Sequence, residues 1–337
     1  MILVGIRKLF SHCWLNKSYP MIKKSIHILL LINILATPIF SQADYKAMAK
    51  MPLRTLWEKG EGYTYELTKG KITYYQGEEE TKTQNRQLVK LTVLEVAPKG
   101  FLMEANYESG AYFLPEELKK VKGIDSLVQK YKHFKVQYAI NEAGEFLKLG
   151  NLNETREMLL DFYKAVYQKL EKTELTERVM QNMFTQMTSE TYITEGVFAE
   201  LRLLHQFYGT EFAPESHNEY DTELANMLEQ NGKSIPARAS LNTSLCEGDY
   251  MEIEHNLTPD ATIMKQLTFD YLKKMSDGSI QIENTEGVDM KVLDYGQFIY
   301  HLRSGWLTEF FKKRTVTLGE EKTVDFVKMV LIEKGAF

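Results

Sequence analysis

Alternation of apolar and polar side chains constrains the fold of this chain more than any other sequence feature. Apolar residues recur at every second position in four early stretches: residues 63–67, 89–93, 101–107 and 134–140. Strand signals return in SIPARASLNTSL and in DYMEIEHNL, where Met251, Ile253 and His255 alternate with Glu252 and Glu254, and after Gly278 they continue almost to the end of the sequence. Strict alternation gives a strand one dry face and one wet face, so these stretches predict antiparallel sheet.

A helical block interrupts the strands. At Asn151 the apolar period changes from two to 3.6, and Glu154 follows at the spacing of a capping box. A second helix is expected from about Glu174 to Met187. A third is expected from about Glu190 to Phe207, with Gly209 as a natural residue to end it.

These patterns predict an α+β fold: a mainly antiparallel curved sheet, or a half-barrel, that carries an inserted three-helix block. We divide the chain into an N-terminal β-rich region (44–150), the helical insertion (151–209) and a C-terminal β-rich region (210–337). The last region includes one helix, in the stretch PDATIMKQLTFDYLKKMS. The residues LPEELKKV predict a short helix or a loop, and SIQIEN predicts a strand. Whether the two β-rich regions form one sheet or two is left open.

The N-terminus predicts export. Two lysines precede the apolar run SIHILLLINILATPIF, and the small residues Ser41 and Ala43 follow it. A basic segment, a short apolar segment and a small-x-small end are typical of a secretory signal. We therefore interpret residues 1–43 as a mis-started leader plus signal peptide, with Met21 as the true start and cleavage after Ala43. The expected location is periplasmic or secreted; the alternative is a retained membrane anchor.

Charge and cysteine content narrow the possible partners. The predicted leader holds five basic residues and no acidic one, which leaves 36 basic and 46 acidic residues in the remainder. This acidic balance disfavours nucleic acid as a partner and disfavours docking on anionic lipid head groups. Cys246 is the single cysteine after residue 43, so no intramolecular disulfide or cysteine-based metal site is expected. After cleavage we expect no integral membrane span.

Catalytic motifs are missing from the sequence. It contains no G-x-S-x-G, H-E-x-x-H, P-loop or dinucleotide-binding fingerprint, so we expect a protein that is not an enzyme. We expect neither a cofactor nor a metal, because the histidines show no paired spacing. The stretch FIYHLRSGWLTEFF gathers His301, Arg303, Ser304 and Trp306 around Gly305. We interpret it as a β-hairpin with Trp306 as a packing anchor.

The helical block is rich in methionine and aromatic residues, which often line adaptable apolar surfaces. If these helices cover the mouth of a curved sheet, they form the lid of an apolar pocket. The alternative is ordinary core packing. The candidate ligand-binding residues are Phe162, Met180, Met183, Met187 and Phe198.

Several longer segments carry a family resemblance. KGEGYTYELTKG, QLVKLTVLEVAPKGFLMEANYES, KVQYAINEAGEFLKLGNLNETREML and YHLRSGWLTEF together resemble uncharacterised secreted β-rich proteins of Bacteroidota-type Gram-negative bacteria. The resemblance implies an envelope or secreted protein, similar in architecture to lipoprotein-carrier half-barrels. It carries over no catalytic residue.

The leading hypothesis is a non-enzymatic secreted or periplasmic protein that binds an apolar small molecule or an envelope protein. One alternative is a structural or assembly component of the cell envelope. The other is a hydrolase whose catalytic residues are scattered along the sequence, because such sites are set by geometry rather than by sequence position.

Overall fold

An antiparallel sheet of eleven strands is the frame of the protein in the computed structural model, which describes residues 50–108, 122–170, 174–224, 234–275 and 289–334. In chain order the strands of the described residues are β1 (Met51–Pro52), β2 (Gly62–Tyr75), β3 (Glu78–Ala97), β4 (Gly100–Tyr107), β5 (Phe134–Asn141), β6 (Phe146–Leu149), β7 (Glu211–Phe212), β8 (Ser216–Leu224), β9 (Ile235–Cys246), β10 (Tyr250–Pro259), β11 (Met290–His301), β12 (Trp306–Leu318) and β13 (Glu321–Lys334). The predicted α+β class with a curved antiparallel sheet is confirmed.

The helices of the described residues are α1 (Ile124–Lys130), α2 (Leu152–Tyr167), α3 (Glu174–Gln186), α4 (Ala199–Leu204) and α5 (Ala261–Met275). A π-helix, Tyr192–Val197, precedes α4. Within the described part of the chain, no helix has the length and apolar character needed to cross a membrane.

Two meanders join to make the large sheet. The strand order is β6-β5-β4-β3-β2-β13-β12-β11-β10-β9-β8, and β1 pairs separately with β7. The junction is the pairing of β2 with β13, which runs from Tyr75 opposite Glu321 to Tyr63 opposite Lys334. The two β-rich regions therefore build one sheet.

One face of this sheet, the inner face, lies against the helices. Alternate residues of the strands are fully buried there, as Val89, Leu91 and Val93 of β3 show. The helical residues Leu159, Leu201 and others complete the same core cluster. The opposite face, the outer face, carries the polar members of the alternation. The period-two pattern therefore identified which side chains point into the core.

The helical block agrees with its predicted position, with two local differences. The expected third helix is a π-helix followed by the short α4, and Gly209 follows with φ of +78°. Asn151 precedes α2 but makes no side-chain cap. Its Oδ1 instead accepts hydrogen bonds from the Gln137 backbone N–H (2.8 Å) and the Thr155 hydroxyl (3.2 Å), which ties the helix start to β5.

Helix α5 covers a different part of the inner face. It contacts β11, and the nearby inner-face residues Leu257, Met290 and Val292 are buried. Leu293, on the outer face of the same strand, is 43% exposed, which places α5 on the inner side. The leader and the stretches LPEELKKV and SIQIEN lie outside the described residues.

The predicted hairpin at FIYHLRSGWLTEFF is confirmed as β11, a turn and β12. Gly305 has φ of +70°, and a Cβ there would lie 1.8 Å from the carbonyl oxygen of Arg54. Trp306 is 1% exposed and stacks on Trp57 with ring centroids 4.3 Å apart. Its Nε1–H donates to Glu61 (3.0 Å). The turn thus fixes the segment that precedes β2 against the C-terminal half of the sheet.

The buried imidazole of His205 predicts acid-sensitive stability. It hydrogen-bonds the Gly144 carbonyl (2.8 Å) and the Tyr138 hydroxyl (3.2 Å), and burial lowers its pKa to about 3. The unfolded chain takes up this proton near pH 6.5 and the folded chain does not, so stability falls as pH decreases from 6.5 towards 3. From pH 7 to pH 5 we expect His205 to account for a loss of about 2 kcal/mol. Urea unfolding of wild type and His205→Gln at both pH values measures that difference, and equal losses in the two proteins would contradict it.

Candidate functional site

Polar residues occupy the inner face between the helical block and α5. Hydrogen-bonded register aligns one row of inner-face residues across six strands, from β10 to β3: His255, Gly296, Lys312, Val327, Lys69 and Asn85. A second row lies beside it: Asp294, Arg314, Asp325 and Lys71. We call these two rows the polar trough. Charged side chains on the inner face of a sheet are costly unless they are paired, so each of them needs a partner of opposite charge.

Asp294 and Arg314 form the best-defined ion pair of the polar trough. Arg314 Nε and Nη2 donate to the two carboxylate oxygens, each at 2.7 Å, and Asp294 is 3% exposed. Such bidentate geometry occupies both oxygens with charge-assisted bonds. On the other side of Arg314, burial raises the pKa of Asp325, while Lys71 and Arg314 act in the opposite direction.

Helix α4 closes the trough where the apolar core begins. Its Glu200 is 0% exposed; the Tyr107 hydroxyl donates to Oε1 (2.7 Å) and Lys69 Nζ lies 2.8 Å from Oε2. Lys69 also donates to the Val197 carbonyl (3.3 Å). Arg202, two residues after the buried glutamate, pairs with Glu195. At the α4 end of the trough, Glu200 and Glu195 therefore each have a cationic partner.

Lys312 differs from the other cations of the trough. It is half-buried, and burial lowers the pKa of its ammonium; Arg314 and Arg202 act in the same direction. Asp294 opposes the shift, but both oxygens of Asp294 are already held by Arg314. Among the residues that the structure describes, no carboxylate pairs with Lys312. The trough therefore has one cation in excess, in a half-buried position.

His255 is the neighbour of Lys312 on the side of the edge strands. Burial lowers its pKa to about 4, and Lys312 contributes to the shift, so the imidazole is neutral near pH 7. Its Nε2 lies 3.1 Å from the Tyr220 hydroxyl, and the Phe207 ring packs against it with centroids 5.7 Å apart. His255 thus adds a polar group to the site without adding charge.

A groove of about 340 Å³ opens beside His255, between the end of the helical block and strands β8 and β9. Its lining is Gln206, Phe207, Thr210, Glu211, Phe212, Ala213, Asn218, Tyr220 and Leu241. Leu241 lies opposite His255 in the register of β9 and β10. The groove therefore continues the row of inner-face residues that contains Lys312.

The candidate residues named from the sequence lie elsewhere on the inner face. Phe162, Met180, Met187 and Phe198 are buried members of the core cluster, and Met183 packs against them partly buried. Their packing accounts for their apolar character without a ligand. Their role as a ligand lid stays a prediction that these contacts do not test.

The sequence analysis did not predict the polar trough, although the strand patterns contain a sign of it. In β12, Phe310 is an inner-face residue, and Lys312 and Arg314 follow at the same parity. In β2, Lys69 and Lys71 follow Leu67 in the same way. A charged residue that continues an apolar series on one face indicates a polar inner surface. The four positions meet only because β2 and β12 both pair with β13.

The hairpin turn brings together a serine, a histidine and an aspartate without forming a catalytic triad. His301 Nδ1 lies 2.9 Å from Ser304 Oγ, within the turn itself. The nearby carboxylate of Asp249 pairs with Arg303 (2.5 Å). An acid that orients the imidazole is required for such a triad, and Asp249 is already engaged. We therefore interpret the contact between His301 and Ser304 as part of the turn.

Comparisons with known proteins add little to this geometry. No protein-family model matches the chain, and no curated protein matches it. A solved structure described as "Lipid-protein interactions in lipovitellin" matches with a TM-score of 0.39 and 9% sequence identity. The match covers 82% of this chain and 26% of that chain, so the protein spans about a quarter of the lipovitellin chain's length. A likeness of this strength carries no inference about a ligand.

Proposed function

We propose that this protein is a non-enzymatic, exported binding protein that holds an amphipathic ligand with an acidic head group in the polar trough. The observation that carries the proposal is Lys312, a half-buried ammonium in the same inner-face site as Asp294, whose two carboxylate oxygens are held by Arg314. A carboxylate or phosphate head group would supply the missing counter-charge.

Desolvation supports this assignment. A cation removed from water without a partner loses hydration energy, and an anion within hydrogen-bond distance restores part of it. The adjacent inner-face row is apolar, since Phe298 and Phe310 lie in it with ring centroids 5.9 Å apart, and both rings are buried. An amphipathic ligand would pair its head group with Lys312 and place its apolar body beside this row.

Export is the second component of the proposal, and the signal-like segment before residue 44 supports it. Edman sequencing of the protein recovered from the envelope fraction of the native cell tests it. We expect the mature chain to begin at Asp44. Recovery of the chain with its first residues intact would contradict cleavage.

Replacement of Lys312 by glutamine is expected to weaken binding of dansyl-undecanoate about 10- to 100-fold, because a charge-assisted hydrogen bond is lost. Fluorescence titration of the purified full chain measures the dissociation constant. The matched control is Lys313→Gln, which removes the adjacent lysine; Lys313 lies over the Tyr295 ring (5.2 Å) on the outer face.

The control should bind the probe as wild type does, and circular dichroism should show both variants folded. Equal affinity of Lys312→Gln and wild type would remove the basis of the proposed function. Equal weakening by Lys313→Gln would show a general charge effect instead of a site at Lys312.

A further inference from the structure

We infer that the ligand of the polar trough is a monoanionic acid with a single acyl chain, whose chain lies in the groove lined by Phe207, Phe212, Leu241 and Tyr220. The inference rests on the proposed function, since it assigns a second subsite to the same ligand. It specifies how many charges and acyl chains the ligand has, and where its chain lies.

The charge count favours one negative charge. Each carboxylate of the trough and its margin has a cation beside it: Arg314 pairs with Asp294, Lys69 with Glu200 and Arg202 with Glu195. Lys71 lies opposite Asp325 in the strand register. Lys312 remains, and His255 is neutral near pH 7. One excess cation matches a carboxylate or a phosphodiester, whereas a dianionic phosphate would leave one charge unpaired in a partly buried site.

The groove lies at a suitable distance from Lys312. Leu241, His255, Gly296 and Lys312 occupy successive positions across β9, β10, β11 and β12. Three strand spacings place the groove floor about 14 Å from the backbone of Lys312. A medium or long acyl chain spans this distance, and a short acid does not.

The residues between the groove and Lys312 carry no charge: they are His255, whose imidazole is neutral near pH 7, and Gly296. Gly296 has no side chain, and the Phe298 ring lies over it, since a Cβ at Gly296 would be 2.7 Å from the ring. Phe207 packs edge-on against Phe298 with centroids 4.8 Å apart and also lines the groove. Phe207 and Phe298 are 5% and 1% exposed, so a chain that runs from a head group at Lys312 to the groove would displace part of the contact between these two rings.

The size and openness of the groove indicate one chain. A volume of about 340 Å³ lies at the lower end of the range for ligand pockets. Asn218 and Tyr220 of the edge strand β8 form its outer rim and are exposed. A ligand can enter the groove from this rim.

Calorimetric titration with decanoate, dodecanoate, tetradecanoate and hexadecanoate, whose chains are long enough to reach the groove, tests the inference on the full chain. In wild type we expect the affinity to rise about fourfold per added methylene until the groove is filled. Asn218→Trp places a large ring at the groove rim and should flatten this dependence. Asp221→Trp introduces tryptophan on the outer face of the same strand and should leave the dependence of affinity on chain length unchanged.

Ala213→Trp fills the groove from a second lining position, so a folding defect in one variant does not decide the result. An unchanged dependence on chain length in both groove variants would overturn the inference, even if Lys312→Gln still weakens binding of every acid. Tighter binding of phosphatidylglycerol vesicles than of any single-chain acid would also overturn it. If Lys312→Gln binds all four acids as wild type does, the proposed function itself fails.

Discussion

Replacement of Trp306 by alanine is expected to lower the free energy of unfolding by about 3–5 kcal/mol. The side chain is 1% exposed and contacts residues that precede or begin β2: it stacks on Trp57 (4.3 Å), packs on Tyr63 (4.5 Å) and donates to Glu61 (3.0 Å). Truncation removes the packing of a large ring and leaves a cavity. It also removes a hydrogen bond to a carboxylate that Tyr63 shares.

Urea unfolding followed by circular dichroism measures this loss. Trp306→Phe retains most of the ring packing and should recover more than half of the lost stability. Leu318→Ala, at a 39% exposed position of the same strand, is the control and should change stability by less than about 0.5 kcal/mol. A loss below 1 kcal/mol for Trp306→Ala would contradict the role of this residue as an anchor between the two ends of the chain.

Replacement of Glu200 by leucine is expected to lower the free energy of unfolding by about 3 kcal/mol, because Lys69 and the Tyr107 hydroxyl lose their shared acceptor in a buried site. The value lies at the lower end of the usual range because the Lys69 side chain keeps 31% exposure to water.

A double-mutant cycle separates the ion pair from packing. Lys69→Met combined with Glu200→Leu should be more stable than Glu200→Leu alone, because no uncompensated charge remains. The control pair is Lys135 and Glu104 on the outer face, whose lysine is 59% exposed. Its coupling energy should stay below about 1 kcal/mol. An additive result for Lys69 and Glu200 would show that the pair contributes nothing specific.

Local sequence patterns predicted much of the fold because they report local physics. Alternation in FKVQYAIN identified Phe134, Val136 and Tyr138 as inner-face residues, and all three are buried. The 3.6 period after Asn151 predicted α2, and Gly305 predicted the turn between β11 and β12. Strand faces and turn conformations depend mainly on neighbouring residues, so single segments carry this information.

The candidate site was harder to predict because its residues are distant in the sequence. Four separate segments contribute Lys69, Glu200, Asp294 and Lys312. Within its own segment, each of these residues is typical of a solvent-exposed charged side chain. The sequence does show one sign of the site. Along the inner face of a strand, apolar residues give way to basic ones, as from Phe310 to Lys312. The ligand-binding candidates predicted from the sequence were instead the methionine and aromatic residues of the helices, which lie in the core.

The sequence by itself determined which stretches are strands and helices, and which strand face is apolar, because these properties follow from side-chain spacing. Only the tertiary structure decided that β2 pairs with β13 and that the two β-rich regions form one sheet. That pairing brings together residues more than 240 positions apart, such as Leu67 and Met329. Backbone hydrogen bonds are chemically alike in every strand, so no local sequence pattern indicates which strand will pair with which. The same pairing aligns the charges that leave Lys312 in excess.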